Sequence, residues 1–175
     1  AHEDTRVYLS ARDEELFCGR GASSYRGTVK ARLSCEGFPP DELDELERTD
    51  ASLIPRVEWP MPERFANLAD GDELRYGGYR MRAVDTPGHT PGHQCLYLPD
   101  QKVMFYGDHL LMNSSPNMAP FPGEADSLGD YLRSLDKVAQ LPVEFACMGH
   151  GFVDPRRQAE AMPERIAWLQ RHHRQ

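Results

Sequence analysis

From Asp70 to Tyr106 the chain is rich in β-prone runs separated by turn residues, with side chains alternating at the two-residue period of a strand over 79–84. In ELRYGGYRMRAVD two β-prone runs flank Gly77-Gly78, which predicts a tight hairpin, and Tyr79, Met81 and Ala83 alternate with Arg80, Arg82 and Val84. QCLYL and KVMFY around Pro99, Asp100 and Gln101 predict a second hairpin, 94–98 with 102–106. The period then changes. Leu128, Tyr131, Leu132, Leu135, Val138 and Ala139 recur at helical spacing, with Asp126 or Ser127 placed to cap, so a helix is predicted over 127–140. It stops before Pro142, and VEFACM over 143–148 reads as a short apolar strand. A closing helix is expected from Arg156 or Pro163 to His173, with Ile166 and Leu169 on its buried side.

The first 69 residues are less regular. Residues 1–17 suggest a short segment and then a helix, although Thr5, Val7, Leu9, Leu16 and Phe17 are too irregular to settle its extent. GRGASSYRG (19–27) is a loop by composition. PPDELDELERTD starts a short acidic helix, with proline in its first turn, carboxylates at the positive end of the dipole, and Leu43 and Leu46 for one shallow contact. IPRVEWPMPERF, with prolines at 55, 60 and 62, reads as a connector.

Composition narrows the class. A chain of 175 residues with 39% hydrophobic and 27% charged side chains has the make-up of one folded domain with a core. The net charge of −8 makes nucleic acid an unfavoured partner, since phosphate binding needs clustered Lys and Arg. No apolar run approaches the ~20 residues that span a bilayer, and AHEDTR lacks the features of a signal peptide. Cys18, Cys35, Cys95 and Cys147 form no CxxC pair, so they are expected to be small core hydrophobes in a reducing cytoplasm. Trp59 and Trp168 are expected to be packing residues.

Three segments join a metal-capable side chain to glycines at a strand end: TPGHTPGH (86–93), YGDH (106–109) and MGHG (148–151). A 94–98/102–106 hairpin puts the loop holding His89 and His93 near Asp108. If the 127–140 helix is a crossover between parallel strands, 143–148 ends at the same edge and brings in His150. Imidazoles and a carboxylate meeting this way are what a zinc site requires. The flanking glycines allow sharp turns without Cβ crowding, and Pro87 and Pro91 stiffen the first loop.

In this order and with these gaps, TPGHTPGH, FYGDH and MGHG resemble the metallo-β-lactamase-fold hydrolases, especially the glyoxalase-II-like branch with its helical insert. The resemblance covers residues 70–153 strongly and 41–50 more loosely. It implies an α/β fold, the C-terminal half of an αββα sandwich with a mixed sheet and flanking helices. It also implies a metal-dependent hydrolase with two Zn²⁺ ions, acting on a small-molecule ester, thioester or phosphoester. By position, His89 corresponds to the third histidine of the first zinc site, Asp108 to the aspartate bridging both ions, and His150 to the last histidine of the second. No catalytic side chain is implied beyond these metal ligands.

The sequence departs from the family at one point: the HxHxDH segment that supplies the remaining ligands is absent. AHEDTRVYL resembles the strand and helix immediately downstream of that segment in the family, and RIAWLQRHHRQ a helix that leads, in some members, to a winged-helix domain. The expectation is therefore one partial domain over 1–175, with strand, insert and linker in 1–69 and a metal-binding ββαβα half in 70–175. Such a chain is expected to be inactive alone, and to form a homo-oligomer or associate with its missing N-terminal half. The rival is a non-catalytic metal-binding or assembly fragment completed by another chain.

The other histidines carry weaker signals. His93 is expected to stabilise its loop or support a ligand rather than bind metal, while His109 is equally compatible with a structural or pocket role and with plain exposure. His172 and His173 are expected at an exposed helix end, where imidazolium favours the dipole, and His2 has no supporting context.

Overall fold

The structure is a computed structural model describing residues 6–18, 30–31, 33–53, 65–118, 121, 123–151 and 154–174. A short parallel pair, β1 (Tyr8–Leu9) and β2 (Ala66–Asn67), stands apart from a five-stranded mixed sheet. That sheet places β3 (Glu73–Tyr76), β4 (Tyr79–Asp85), β5 (Gln94–Leu98), β6 (Val103–Gly107) and β7 (Phe145–Met148) side by side in chain order. Neighbours are antiparallel up to β6, and β7 runs parallel to β6. The helices are α1 (Ala11–Cys18), α2 (Pro40–Leu53), α3 (Ser127–Ala139) and α4 (Pro155–His173).

Both hairpins form. Between β3 and β4, Gly77 (φ 56°) and Gly78 (φ 86°) both take left-handed backbone, as a two-residue turn matched to the strand twist requires. The second turn extends one residue beyond expectation, because Lys102 adopts φ 53° and the strand begins at Val103. The Lys102 carbonyl accepts from the amides of Glu144 (2.8 Å) and Phe145 (3.2 Å). That anchor starts β7 at Phe145 rather than Val143.

The α3 crossover begins where Asp126 accepts from the Gly129 amide at 2.7 Å, satisfying one of the helix's free N–H groups. Its buried Tyr131, Leu135 and Val138 pack with Met162, Ile166 and Leu169 of α4 onto one sheet face, where Val84, Cys95, Tyr97, Met104, Tyr106 and Ala146 complete the core. α4 starts at Pro155 behind the N-cap Asp154 and continues through Pro163. Of the two expected starts, Arg156 or Pro163, the second fails for a packing reason. Burial of Met162 and Ile166 on either side of it outweighs the backbone hydrogen bond a proline forfeits.

Among the described residues no helix of this kind covers the opposite sheet face. Tyr79, Met81, Leu98, Val103, Phe105 and Phe145 line an open groove of about 550 Å³, with Phe105 45% and Tyr79 51% exposed. On α2 Leu43 is buried as expected, whereas the side chain of Leu46 lies outside the described residues. The 19–27 loop and all but Phe65 of the proline-rich connector are also outside them. Among the described residues no helix is long and apolar enough to cross a membrane.

Candidate metal centre

The antiparallel pairing of β4 with β5 sets the 86–93 loop at the edge where β6 and β7 end. His89 lies in that loop, Asp108 directly after β6, and His150 just beyond β7. The structure brings all three together around the Asp108 carboxylate. His89 Nε2 lies 3.6 Å from Oδ2 and His150 Nε2 lies 3.2 Å from Oδ1, so each oxygen faces one imidazole. The His150 side chain is 74% exposed and that of Asp108 33%, which leaves the cluster open to solvent on the His150 side. Among the described residues no three such side chains form a ready-made site for a single ion. The arrangement is two His–carboxylate pairs sharing one aspartate.

The orientation of His89 is built in. Its Nδ1 lies 2.8 Å from the Asn117 carbonyl oxygen, and since a carbonyl only accepts, Nδ1 carries the proton. Nε2 is thereby left facing Asp108 and is the nitrogen that this ring would offer to a metal. The donor chemistry fits zinc, which binds neutral imidazole nitrogen and carboxylate oxygen.

Two glycines allow the close approaches. A Cβ at Gly149 would lie 2.5 Å from Asp108 Oδ1, so the end of β7 reaches the carboxylate only because that side chain is missing. A Cβ at Gly88 (φ +139°) would lie 2.6 Å from Tyr131 Cβ and 2.7 Å from its Cα. Ser134 fastens the same turn, donating to the Pro87 carbonyl at 2.8 Å. Gly88→Ala is therefore expected to destabilise the fold by about 2–3 kcal/mol, combining overpacking against a helix backbone with strained φ. Denaturant unfolding of the variant beside wild type measures it.

His93 takes the loop-stabilising position expected for it. Its Nδ1 lies 2.8 Å from Thr86 Oγ1, and burial, with His89 next, pushes its pKa down to about 4. His109 is fully buried, so the exposed alternative is wrong: the chain turns inward after Asp108 and sets the ring edge-on to Tyr131, 5.3 Å between centroids. Burial, reinforced by His93, lowers its pKa to about 3.

At the chain's end, His172 is exposed but His173 is half-buried against Tyr131. Trp168 is 41% exposed rather than packed inside, held between the Arg165 guanidinium (4.7 Å) and the stacked His172 ring (4.6 Å). Cys95 is buried and Cys147 half-buried, whereas Cys35 is exposed rather than in the core. His2 and Trp59 lie outside the described residues, as does the side chain of Cys18.

A mixed sheet backed by helices on one face, with a carboxylate between two imidazoles at its edge, defines the chain as an α/β protein. The sequence profile described as "Metallo-beta-lactamase superfamily" matches residues 2–150, and the chain belongs to that superfamily. It is 34% identical over 93 residues to the hydroxyacylglutathione hydrolase of Cereibacter sphaeroides, covering 53% of this chain and 34% of that protein. With the enzyme of the same name from Brucella anthropi it shares 34% identity over 143 residues, 72% of this chain and 53% of the relative. A metallo-beta-lactamase family protein of Thermus thermophilus superposes with a TM-score of 0.75 at 28% identity, over 97% of this chain and 53% of that one. The chain thus spans from about a third to about half the length of these relatives.

Two contributors to the centre carry no signal in the sequence. Asn117 acts through its backbone carbonyl, which no residue type encodes, and Asp13 reaches the 86–93 loop from α1 across 77 residues of chain.

Proposed function

We propose that His89, Asp108 and His150 are ligands of a two-zinc centre in a hydrolase acting on an ester, thioester or phosphoester. The observation behind this reading is the Asp108 carboxylate, which offers one oxygen to each imidazole. His89 would hold one ion, His150 the other, and Asp108 both. When bound, the ions supply Lewis acidity toward the scissile carbonyl or phosphoryl group. Asp108 offsets part of their charge, and the Asn117 carbonyl holds His89 Nε2 toward the carboxylate. The open His150 side admits a small-molecule substrate. Similarity to hydroxyacylglutathione hydrolases favours a thioester.

These ligands alone give each ion about two protein donors, where a catalytic zinc has three. The 175-residue chain by itself is therefore expected to bind zinc weakly and to turn over little. The apolar sheet face, which no described helix covers, favours a second reading, a non-catalytic metal-binding or assembly fragment completed by another chain. Under either reading we assign that face to the half of the fold that carries the HxHxDH histidines, a further copy of this chain being the alternative. Cys35, Cys95 and Cys147, which form no disulfide among the described residues, suit a reducing cytoplasm.

The test measures bound zinc and hydrolysis of a hydroxyacyl-glutathione thioester, for the chain alone and mixed with an HxHxDH-bearing polypeptide. Turnover rising by about a hundredfold or more in the mixture supports the hydrolase. Zinc bound without turnover in either sample favours the fragment, and no zinc in either rejects the centre.

A further inference from the structure

The 86–93 loop is gripped from a side that neither the metal reading nor the sheet requires. Asp13 of α1 is buried, and both its oxygens go to this loop: Oδ2 accepts from the Thr90 hydroxyl at 2.7 Å and Oδ1 from the Gly92 amide at 2.8 Å. These contacts bracket Pro91 and begin one residue after His89. The carboxylate is itself held in place, since its own backbone amide donates to Ser10 Oγ at 3.1 Å and Ser10 is also buried. Space on the loop side is closed. A Cβ at Gly92 would lie 2.0 Å from Ser10 Oγ and 2.6 Å from the Asp13 amide nitrogen, so α1 and the loop meet backbone to backbone.

We infer that Asp13 is a positioning residue for His89, clamping the loop through Thr90 and Gly92 so that the imidazole stays between Asn117 and Asp108. Hydrogen bonds to an ionised carboxylate are the strong ones, and here they cross 77 and 79 residues of chain to tie a short N-terminal helix to the centre. The loop is then held on two sides, by Asp13 and by Ser134 at Pro87. Between these supports His89 has one ring orientation that satisfies Asn117. The functional meaning of this clamp rests on His89 being a metal ligand, but its existence does not.

The test uses the full chain without metal and reads two signals by NMR: the ring-nitrogen shifts of His89, which report its tautomer, and hydrogen exchange of the Gly92 amide. Asp13→Ala is expected to mix the His89 tautomers and to speed Gly92 exchange by about tenfold or more, because both loop anchors go at once. Thr90→Val, which removes one anchor, is expected to produce a smaller change in the same direction. Asp13→Asn is expected to restore the wild-type signals, since its amide accepts from Gly92 and donates to the Thr90 hydroxyl. Leu16→Ala is the control, loosening α1 while leaving the carboxylate in place.

Unchanged ring-nitrogen shifts in Asp13→Ala overturn the proposal. An equal change in Leu16→Ala overturns it too, by reducing the clamp to general packing. Zinc competition on the same proteins adds the functional reading, with Asp13→Ala about tenfold weaker than wild type and Asp13→Asn near it. A wild type that binds no zinc rejects the metal centre, while the metal-free signals still decide the role of Asp13.

Discussion

Replacing Asp108 by alanine is expected to lower zinc affinity by about a hundredfold or more, against roughly tenfold for His89→Ala or His150→Ala alone. The asymmetry follows from position. His89 and His150 approach different oxygens of one carboxylate, so losing either imidazole leaves one His–carboxylate pair, and losing the carboxylate leaves none. The variant also leaves the two imidazoles with no carboxylate between them, removing the charge that offsets a dication. Stability should barely respond: the Asp108 side chain is 33% exposed, and a change within about 1 kcal/mol is the expectation for a surface-open site. Competition against a coloured chelator gives the affinities, and thermal unfolding of the metal-free proteins gives the control. Equal losses in all three variants would show that Asp108 is not shared, and the two-ion reading would go with it.

The convergence of His89, Asp108 and His150 was legible because each step rests on local signals whose consequences topology then propagates. Gly77-Gly78 and the 99–101 turn specify hairpins, the 127–140 periodicity specifies a crossover, and together these leave one edge for all three side chains. The illegible part depends on contacts between distant segments. The start of β7 is decided by the Lys102 carbonyl, and the continuity of α4 through Pro163 by the core beneath Met162 and Ile166. The inward turn of His109 follows from packing against Tyr131, which periodicity cannot report for a loop residue. Arg165 shows the same limit. Its side chain lies over Trp168 while donating to the carbonyls of Leu111 (2.8 Å) and Ser114 (2.6 Å), thereby bracing the segment that presents Asn117 to His89. A helix-surface arginine gives no sign of that in the sequence.

The second large effect expected is on association. Among the described residues, strands β4 to β7 bury one face under α3 and α4 and leave Met81, Val103, Phe105 and Phe145 around an open groove of about 550 Å³ on the other. An apolar sheet face is stabilised by a second layer, and sheets of this kind pack about 10 Å apart with side chains interdigitated. Covering the groove removes its apolar lining from water at about 25 cal/mol per Å², and only what is left after the cost of association appears as affinity. Sedimentation should therefore give a mass above the 19.9 kDa of one chain, or a co-purifying polypeptide carrying an HxHxDH sequence. Phe105→Lys should weaken that association by about tenfold or more, because an ammonium at the centre of a dry interface is costly to desolvate. It should leave the fold intact, since Phe105 is already 45% exposed and lies on the face away from the helix-backed core. Three results would each count differently. A wild-type dimer that Phe105→Lys dissociates assigns the face to a second copy, whereas a shorter partner lost in the same variant assigns it to the HxHxDH polypeptide. A 19.9 kDa monomer at micromolar concentration, with no partner and no change in Phe105→Lys, would mean that the groove is not an interface and that the centre must do without ligands from another chain.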